Sequence, residues 1–305
     1  MPKTLISDIG ANIFDIYARQ LLLDNMPKMY FRQFVTYKNE AQKEPGQTID
    51  FISYSNVSEG GQLTEDIPIP RNKMSSSTES ITLTEFGNAI SFSRKAKTAS
   101  IRELMDDAIL LLGRDYRTVM DKYLRDIFLG TSNKHYTKAD GSSGSAITDV
   151  AGLFDDDTLD AVVEVAENLN MPKLVRGNES FYAFIGTPRQ IRQMRNSTDW
   201  LDARKYTNPS DMLTGEAGRL NGVVFLQSTL MPTVDSGGAG GDDVSRGVLI
   251  GADAVGYGDS VPMELIPGDQ EDYKRTESVA WYTIAGAGIL NDNIIEVQTA
   301  DPMST

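Results

Sequence analysis

The stretch "SIRELMDDAILLLGRDYRTVMDKYLRDIFLG", residues 100–130, constrains the fold more than any other part of the chain. Ser100 and Glu103 form a capping-box pattern, and nothing breaks the run before Gly130. At 1.5 Å per residue this predicts a helix of roughly 45 Å, about the full width of an ordinary domain. Leu104, Ala108, Leu112, Val119, Tyr123 and Ile127 fall at helical spacing on one face, so the helix has to be braced along its length.

The chain around this beam reads as strands with two projecting pieces. Residues 12–25 are predicted to form an amphipathic helix stopped by Met26-Pro27, and the segment through Glu44-Pro45-Gly46 reads as an extended arm. Residues 48–52 and 80–92 alternate apolar and polar positions with β-branched and aromatic residues, the pattern of strands. Between them lies "SEGGQLTEDIPIPRNKMSSSTE", whose glycines, prolines and small polar residues cannot build a core. A long irregular excursion of this kind is uncommon unless it is functional, so it is predicted to project and dock. After the beam, the Gly/Ser-rich "TSNKHYTKADGSSGSA" reads as a loop, residues 157–169 as a helix and "FYAFIG" as a buried strand. Thr187-Pro188 opens a further helix, with an N-cap and a proline at its first position. "NGVVFLQST" and "RGVLIGA" read as strands on either side of a solvent loop, "DSGGAGGDD". From Met263 onward the chain reads as alternating strands, "ESVAWYTIAGAGIL" and "NIIEVQTA" among them.

The residue inventory excludes several chemistries. With no cysteine there are no disulfides, zinc–thiolate sites or cysteine nucleophiles. The one histidine, His135, excludes two-histidine metal centres, and its Gly/Ser-rich context predicts a solvated loop position. No G-x-S-x-G elbow or Walker A sequence is present. "AGAGIL" offers Gly286 and Gly288 but has Asn291 where a dinucleotide fingerprint has its third glycine. Acidic clusters at Asp155-Asp156-Asp157, Asp242-Asp243 and Asp269-Gln270-Glu271-Asp272 lie in polar or glycine-rich surroundings, where burial is not expected. The first of them opens a helix, where negative charge complements the dipole. Arg189, Arg192 and Arg195 recur every third residue, as a solvated face or an ion-pairing face between subunits. No catalytic residue, cofactor or metal is expected.

Charge points the same way. The formal balance is −14, from 43 acidic and 29 basic residues, and residues 151–270 hold 18 of the acids against 9 bases. A protein that grips nucleic acid carries a basic footprint, so no direct adhesion to DNA is expected. No run approaches the roughly 18 apolar residues that a membrane helix needs. "MPKTLISDIGANIF" lacks the apolar stretch of a secretion signal, so secretion is not expected either. A beam, an arm and a projecting loop without an active site make the profile of an assembly subunit.

Four stretches resemble the major capsid (coat) proteins of tailed bacteriophages, nearest to the podovirus family named for phage N4. They are "PGQTIDFISYSNVSEGGQLTED"; "ITLTEFGNAISFSRKAKTASIRELMDD" with "DIFLGTSN" at the end of the beam; "PRQIRQMRNSTDWLDARKYTNPSDMLTGEAGRLNGVVFLQSTLMP"; and "LIGADAVGYG" followed by "ESVAWYTIAGAGILNDNIIEVQTA". In the third, "GEAGRLNGVVFLQST" is similar to the family's Gly-Glu-x-Gly-x-x-x-Gly-Val-x-Phe signature. The likeness keeps one order from about residue 45 to residue 300.

The resemblance implies an α+β fold of the Hong Kong 97-type. In its terms residues 1–50 are an N-terminal arm, 51–93 an extended loop built as a β-hairpin and 94–150 a peripheral domain with the spine helix. Residues 151–259 are an axial domain, and 260–305 are peripheral-domain strands and the C-terminus. The spine's apolar face is expected to pack on the peripheral sheet around Trp281. The loop and arm are expected to overlap neighbouring subunits, with Glu65, Asp66, Arg71, Lys73, Arg189, Arg192 and Arg195 at subunit interfaces.

The implied function is that of a structural major capsid protein. It would assemble with itself, through pentamers and hexamers, into the icosahedral shell around a tailed phage's double-stranded DNA, without sequence-specific binding. Assembly in the host bacterial cytoplasm and residence in the virion follow. Further implied partners are a portal, an optional decoration protein and a separate scaffolding protein, since about 50 residues before the loop leave no room for a built-in scaffold. Some shells of this type form Lys–Asn crosslinks; Lys73 lies in the loop, but the resemblance does not reach that chemistry. Alternatives are another phage structural subunit, of tail or decoration kind, and an acid-cluster Mg²⁺ hydrolase sensitive to substitution of Asp155 or Asp269.

Overall fold

The computed structural model describes residues 29–38, 48–54, 57–62, 69, 71–100, 104–177, 179–197, 218–268, 272–273 and 275–301. The helix predicted over residues 12–25 lies outside them. A 3-10 turn, Phe31–Phe34, leads into β1 (Val35–Tyr37), β2 (Thr48–Tyr54), β3 (Ser76–Thr82) and β4 (Thr84–Ser93). A short helix, α1 (Arg94–Ala99), precedes the beam, α2 (Leu104–Phe128). Next come β5 (Lys134–Tyr136), α3 (Asp156–Asn168), β6 (Leu174–Arg176), β7 (Glu179–Gly186) and α4 (Pro188–Arg195). The chain closes with β8 (Gly218–Leu220), β9 (Val223–Gln227), β10 (Thr233–Val234), β11 (Asp243–Ile250), β12 (Val255–Pro267), β13 (Thr276–Ile289) and β14 (Ile294–Asp301).

Among the described residues these strands form two sheets and a hairpin. The four-stranded sheet runs β1-β12-β13-β4, and the larger sheet runs β5-β14-β11-β7-β9-β8 with β10 and β6 at its side. The hairpin is β2 paired antiparallel with β3. The larger sheet is buried on both faces, which is why its strands read as continuous apolar runs. Tyr182, Phe184, Phe225, Leu249, Ile295 and Val297 face α3 and α4. Ala183, Ile185, Val224, Leu226, Val248 and Ile250 face the C-terminal half of α2, where Met120, Leu124 and Phe128 meet them.

Local chemistry sets the helix starts. Asp155 caps α3 by accepting the Thr158 N–H at 3.0 Å. Thr187 caps α4 by accepting the Gln190 N–H at 3.2 Å, while Gln190 Oε1 accepts the Thr187 N–H at 3.1 Å. The same Gln190 is fully buried, and its Nε2 donates to Thr299 Oγ1 at 3.0 Å and the Ser245 carbonyl at 3.2 Å. One side chain thereby closes the helix end and bolts α4 to the larger sheet.

The beam is one helix of 25 residues, about 37 Å long. Ser100, predicted to open it, instead closes α1, with its N–H donating to the Ala96 carbonyl at 2.9 Å. Glu103 lies outside the described residues. The apolar stripe also differs from the predicted one. Leu104, Ala108, Leu112, Met120, Leu124 and Phe128 are buried, and Tyr116, Val119, Tyr123 and Ile127 are half-buried and packed beside them. A strict spacing of four advances about 40° around a helix of 3.6 residues per turn at each step. The buried stripe therefore winds around the helix and faces two bodies in succession. Ala108 and Leu112 pack on Phe92, Val279 and Trp281 of the four-stranded sheet. Met120, Leu124 and Phe128 then reach the larger sheet. Asp115 ties the first of these contacts by accepting from Trp281 Nε1 and from Asn88 Nδ2, each at 2.9 Å.

Sheet membership shifts several expected boundaries. Residues 80–92, read as one strand, divide at Leu83: Ser76–Thr82 pairs with β2, and Thr84–Ser93 pairs with β13. Only the first part belongs to the hairpin. β12, which begins at Val255, lies in the four-stranded sheet together with β13. β14, expected with the peripheral strands, pairs with β11 inside the larger sheet and is buried at all eight positions. The "DSGGAGGDD" loop is anchored rather than wholly solvated, with Gly238 buried and the Ala239 N–H donating to the Val150 carbonyl at 2.8 Å.

Candidate functional site

The feature that stands apart from both sheets is the hairpin. At its base Ile49 and Ile81, directly opposite each other, are 4 % and 6 % exposed. Lys38 Nζ donates to the Asp50 carbonyl at 2.7 Å beside them. Beyond Phe51 its apolar side chains stand uncovered among the described residues: Ile52 and Tyr54 are 64 % and 66 % exposed, Met74 is 74 % exposed, and Val57 and Ile69 are exposed as well. An isolated two-stranded hairpin is marginal in water. One that also displays exposed apolar side chains on and beyond its strands gains stability when something covers them.

The predicted interface residues separate into three groups. Glu65 and Asp66 lie outside the described residues. Arg71 and Lys73 are exposed on the distal part of the hairpin. The arginine stripe is not one face: Arg189 is half-buried and pairs with Asp301 at 2.9 Å within the subunit, while Arg192 and Arg195 are exposed. The helix start explains this, since Arg189 sits one residue before Gln190, on the side of α4 that meets the sheet. Sequence reasoning named the charged residues of the loop and missed Ile52, Tyr54, Val57, Ile69 and Met74. Their signal was available as large apolar residues in a segment too rich in glycine and proline to bury them.

The buried polar groups serve the fold. His135, predicted to be solvated, is buried on β5 and pairs in register with Val297. Its Nε2 donates to the Gly141 carbonyl at 3.2 Å, and burial holds its pKa below the usual histidine value. The loop around it is polar, but β5 carries the ring under the sheet edge. Glu296, fully buried, pairs with Arg246 and accepts from Gln298 Nε2 at 2.8 Å, with Lys134 at 3.6 Å. Asp155 to Asp157 form the cap and first turn of α3. Asp243 accepts the Ser236 N–H at 2.8 Å, which orders its own loop. Among the described residues no group of acids or histidine is arranged to hold a metal ion.

Comparison with known proteins supports an assembly subunit. The sequence profile of a family described as phage capsid protein matches residues 77–295, most of the chain. The chain belongs to the phage capsid protein family. Its fold is similar to the capsid of Ralstonia phage GP4, with a TM-score of 0.75, 15 % identity, and coverage of 95 % of this chain and 96 % of that one. It is similar to the capsid of cyanophage Pam1, with a TM-score of 0.79, 12 % identity and coverage of 95 % and 97 %. It is also similar to the capsid of Helicobacter pylori bacteriophage KHP30, with a TM-score of 0.71, 14 % identity and coverage of 99 % of both chains. Among curated protein sequences none matches. This capsid protein thus has the α+β fold of Hong Kong 97-type shells and a structural role in a phage capsid, within the virion.

Proposed function

We propose that this capsid protein is the repeating subunit of an icosahedral shell and that its hairpin is the strap joining one subunit to the next. The observation that carries this is the exposure of Ile52, Tyr54, Val57, Ile69 and Met74 among the described residues. A segment with so little core of its own is stabilised by burying surface on a partner. A second copy is the partner of choice, because the capsids similar to this chain are built from repeated copies of one fold.

In this reading the four-stranded sheet, with the first half of α2, is the peripheral domain. The larger sheet, with α3 and α4, is the axial domain at the capsomer axis. The beam makes the two move as one body, because its winding stripe is buried against both. The shell would be made of pentamers and hexamers around double-stranded DNA of a podovirus of the N4 type. A separate scaffolding protein, a portal and an optional decoration protein would join it in the host cytoplasm. The acidic balance of 43 to 29 supports confinement of DNA without adhesion.

A photo-crosslinking residue in place of Met74 tests the strap directly. Crosslinked dimers and higher multimers should form in assembled particles and not in dilute subunits. Crosslinking confined within one chain would overturn the reading.

A further inference from the structure

Four glycines occupy one face of the four-stranded sheet as a two-by-two block. Gly256 and Gly258 of β12 stand opposite Gly288 and Gly286 of β13. The alternate residues of the same strands, Val255, Tyr257 and Ala285, point the other way, into the core beneath α2. Glycine weakens a strand interior, and it is usually found there where another chain segment comes close. None of the four has a positive φ, so alanine would suit the backbone of each.

What alanine would not suit is the hairpin. A Cβ on Gly258 would lie 2.3 Å from Ile49 Cδ1 and 2.8 Å from the Lys38 carbonyl oxygen. On Gly286 it would lie 2.6 Å from the Thr82 carbonyl oxygen, and on Gly256 2.8 Å from the Phe51 ring. On Gly288 it would meet Ile81 Cγ1 at 3.0 Å. The nearest conflict at each of the four positions falls on the base of the hairpin, with the arm residue Lys38 beside it at Gly258. The bare floor therefore receives Ile49, Phe51 and Ile81, the residues that close the hairpin against its own subunit.

We propose that this glycine block is a seat that sets the direction in which the hairpin leaves the subunit, making Gly258 and Gly286 positioning residues for shell assembly. The inference rests on the reading of the hairpin as the strap between subunits. Its lever is long. From Ile49 to Tyr54 alone the strand runs about 17 Å at 3.3 Å per residue, and the chain continues beyond before returning at Ser76. A shift of about an ångström at the floor becomes a larger displacement where Tyr54 and Met74 would meet a neighbour.

The test is Gly258→Ala and Gly286→Ala in the full chain, with Gly288→Ala as a milder variant and Gly113→Ala, which meets nothing within 4 Å, as the control. Hydrogen exchange in the unassembled subunit should rise roughly tenfold for amides of residues 48–54 and 76–82, with the rest of the sheets unchanged. Shells seen by electron microscopy should be lost or misshapen. Adding Ile49→Val to Gly258→Ala removes the Cδ1 atom in conflict and should restore part of both. Unchanged exchange in the hairpin of both variants would overturn the seat, and so would a rise spread evenly over the whole sheet. Released hairpins with normal shells, in a protein whose hairpin deletion still blocks assembly, would overturn the positioning role and leave the strap intact. Normal shells after hairpin deletion would instead remove the strap itself.

Discussion

Asp121 lies fully buried on α2, where the segment before β1 docks on the beam. Its Oδ1 accepts the Phe31 N–H at 3.0 Å, the Tyr30 N–H also bonds to it, and the Phe31 ring packs on Phe128 with centroids 5.5 Å apart. Burial pushes the carboxyl from 3.8 up to about 6, against the lowering effect of those N–H groups and of Arg125. The folded protein therefore holds this proton more tightly than the unfolded chain does. The stability it contributes is fully present below pH 3.8 and is lost as pH rises through about 6. At about 1.4 kcal/mol per pKa unit the whole interval is worth about 3 kcal/mol, and the step from pH 7 to pH 5 about 1.4 kcal/mol. His135 works in the opposite sense. Its pKa is lowered by burial, so its contribution is present above the ordinary histidine value and lost as pH falls. The informative quantity is thus the difference between the parent and Asp121→Asn, in which His135 cancels. Asparagine keeps an oxygen for the Phe31 N–H and removes the charge. Urea unfolding of unassembled subunits should show the variant at least as stable as the parent at pH 7, with its advantage shrinking by about 1.4 kcal/mol at pH 5. An advantage that is equal at both pH values, or that grows on acidification, would refute the reasoning.

Three further perturbations address the beam, the larger sheet and the charge. Leu112→Asp places an unpartnered carboxylate among Phe92, Val279 and Trp281, and should lower stability by about 3 kcal/mol or more; an unchanged thermal midpoint would contradict the brace. Arg246→Met leaves the buried Glu296 with the Gln298 amide and, as a cation, Lys134 at 3.6 Å, and should cost about 3 kcal/mol in denaturant unfolding. Unassembled subunits should show negligible affinity for duplex DNA even at low salt, because the net charge is −14; micromolar binding at physiological salt, measured by fluorescence anisotropy, would contradict confinement without adhesion.

The parts of this fold that were legible in the sequence are those decided by neighbours along the chain. Thr187 and Asp155 cap their helices through N–H groups three residues away, so their signals needed no tertiary knowledge. "FYAFIG" announces burial on both faces by having no polar side. Partner choice was not legible. Alternation makes "NIIEVQTA" a strand but does not say that β11, rather than β13, receives it. The division at Leu83 shows in the sequence only as a change of phase, with the inward position odd at Ile81 and even at Phe86, Ile90 and Phe92, and the two different partners were not legible. Gly286 and Gly288 were read against a nucleotide fingerprint because their meaning depends on Gly256 and Gly258, some thirty residues earlier. His135 and Asp121 are buried by elements far away in sequence, which local composition does not register. Of the candidate site, the strands of the hairpin were legible. Which of its apolar side chains stay exposed became visible only once Ile49 and Ile81 were seen to be buried in the same subunit.

The most direct test of the central claim compares the full chain with a variant lacking residues 57–75, using electron microscopy and sedimentation under conditions that promote assembly. The deletion removes Val57, Ile69 and Met74, and it leaves Ile49 and Ile81 on their floor. The account predicts closed shells from the full chain, and from the variant folded subunits with a native-like circular dichroism spectrum that do not close. Closed shells of normal size from the variant would contradict it.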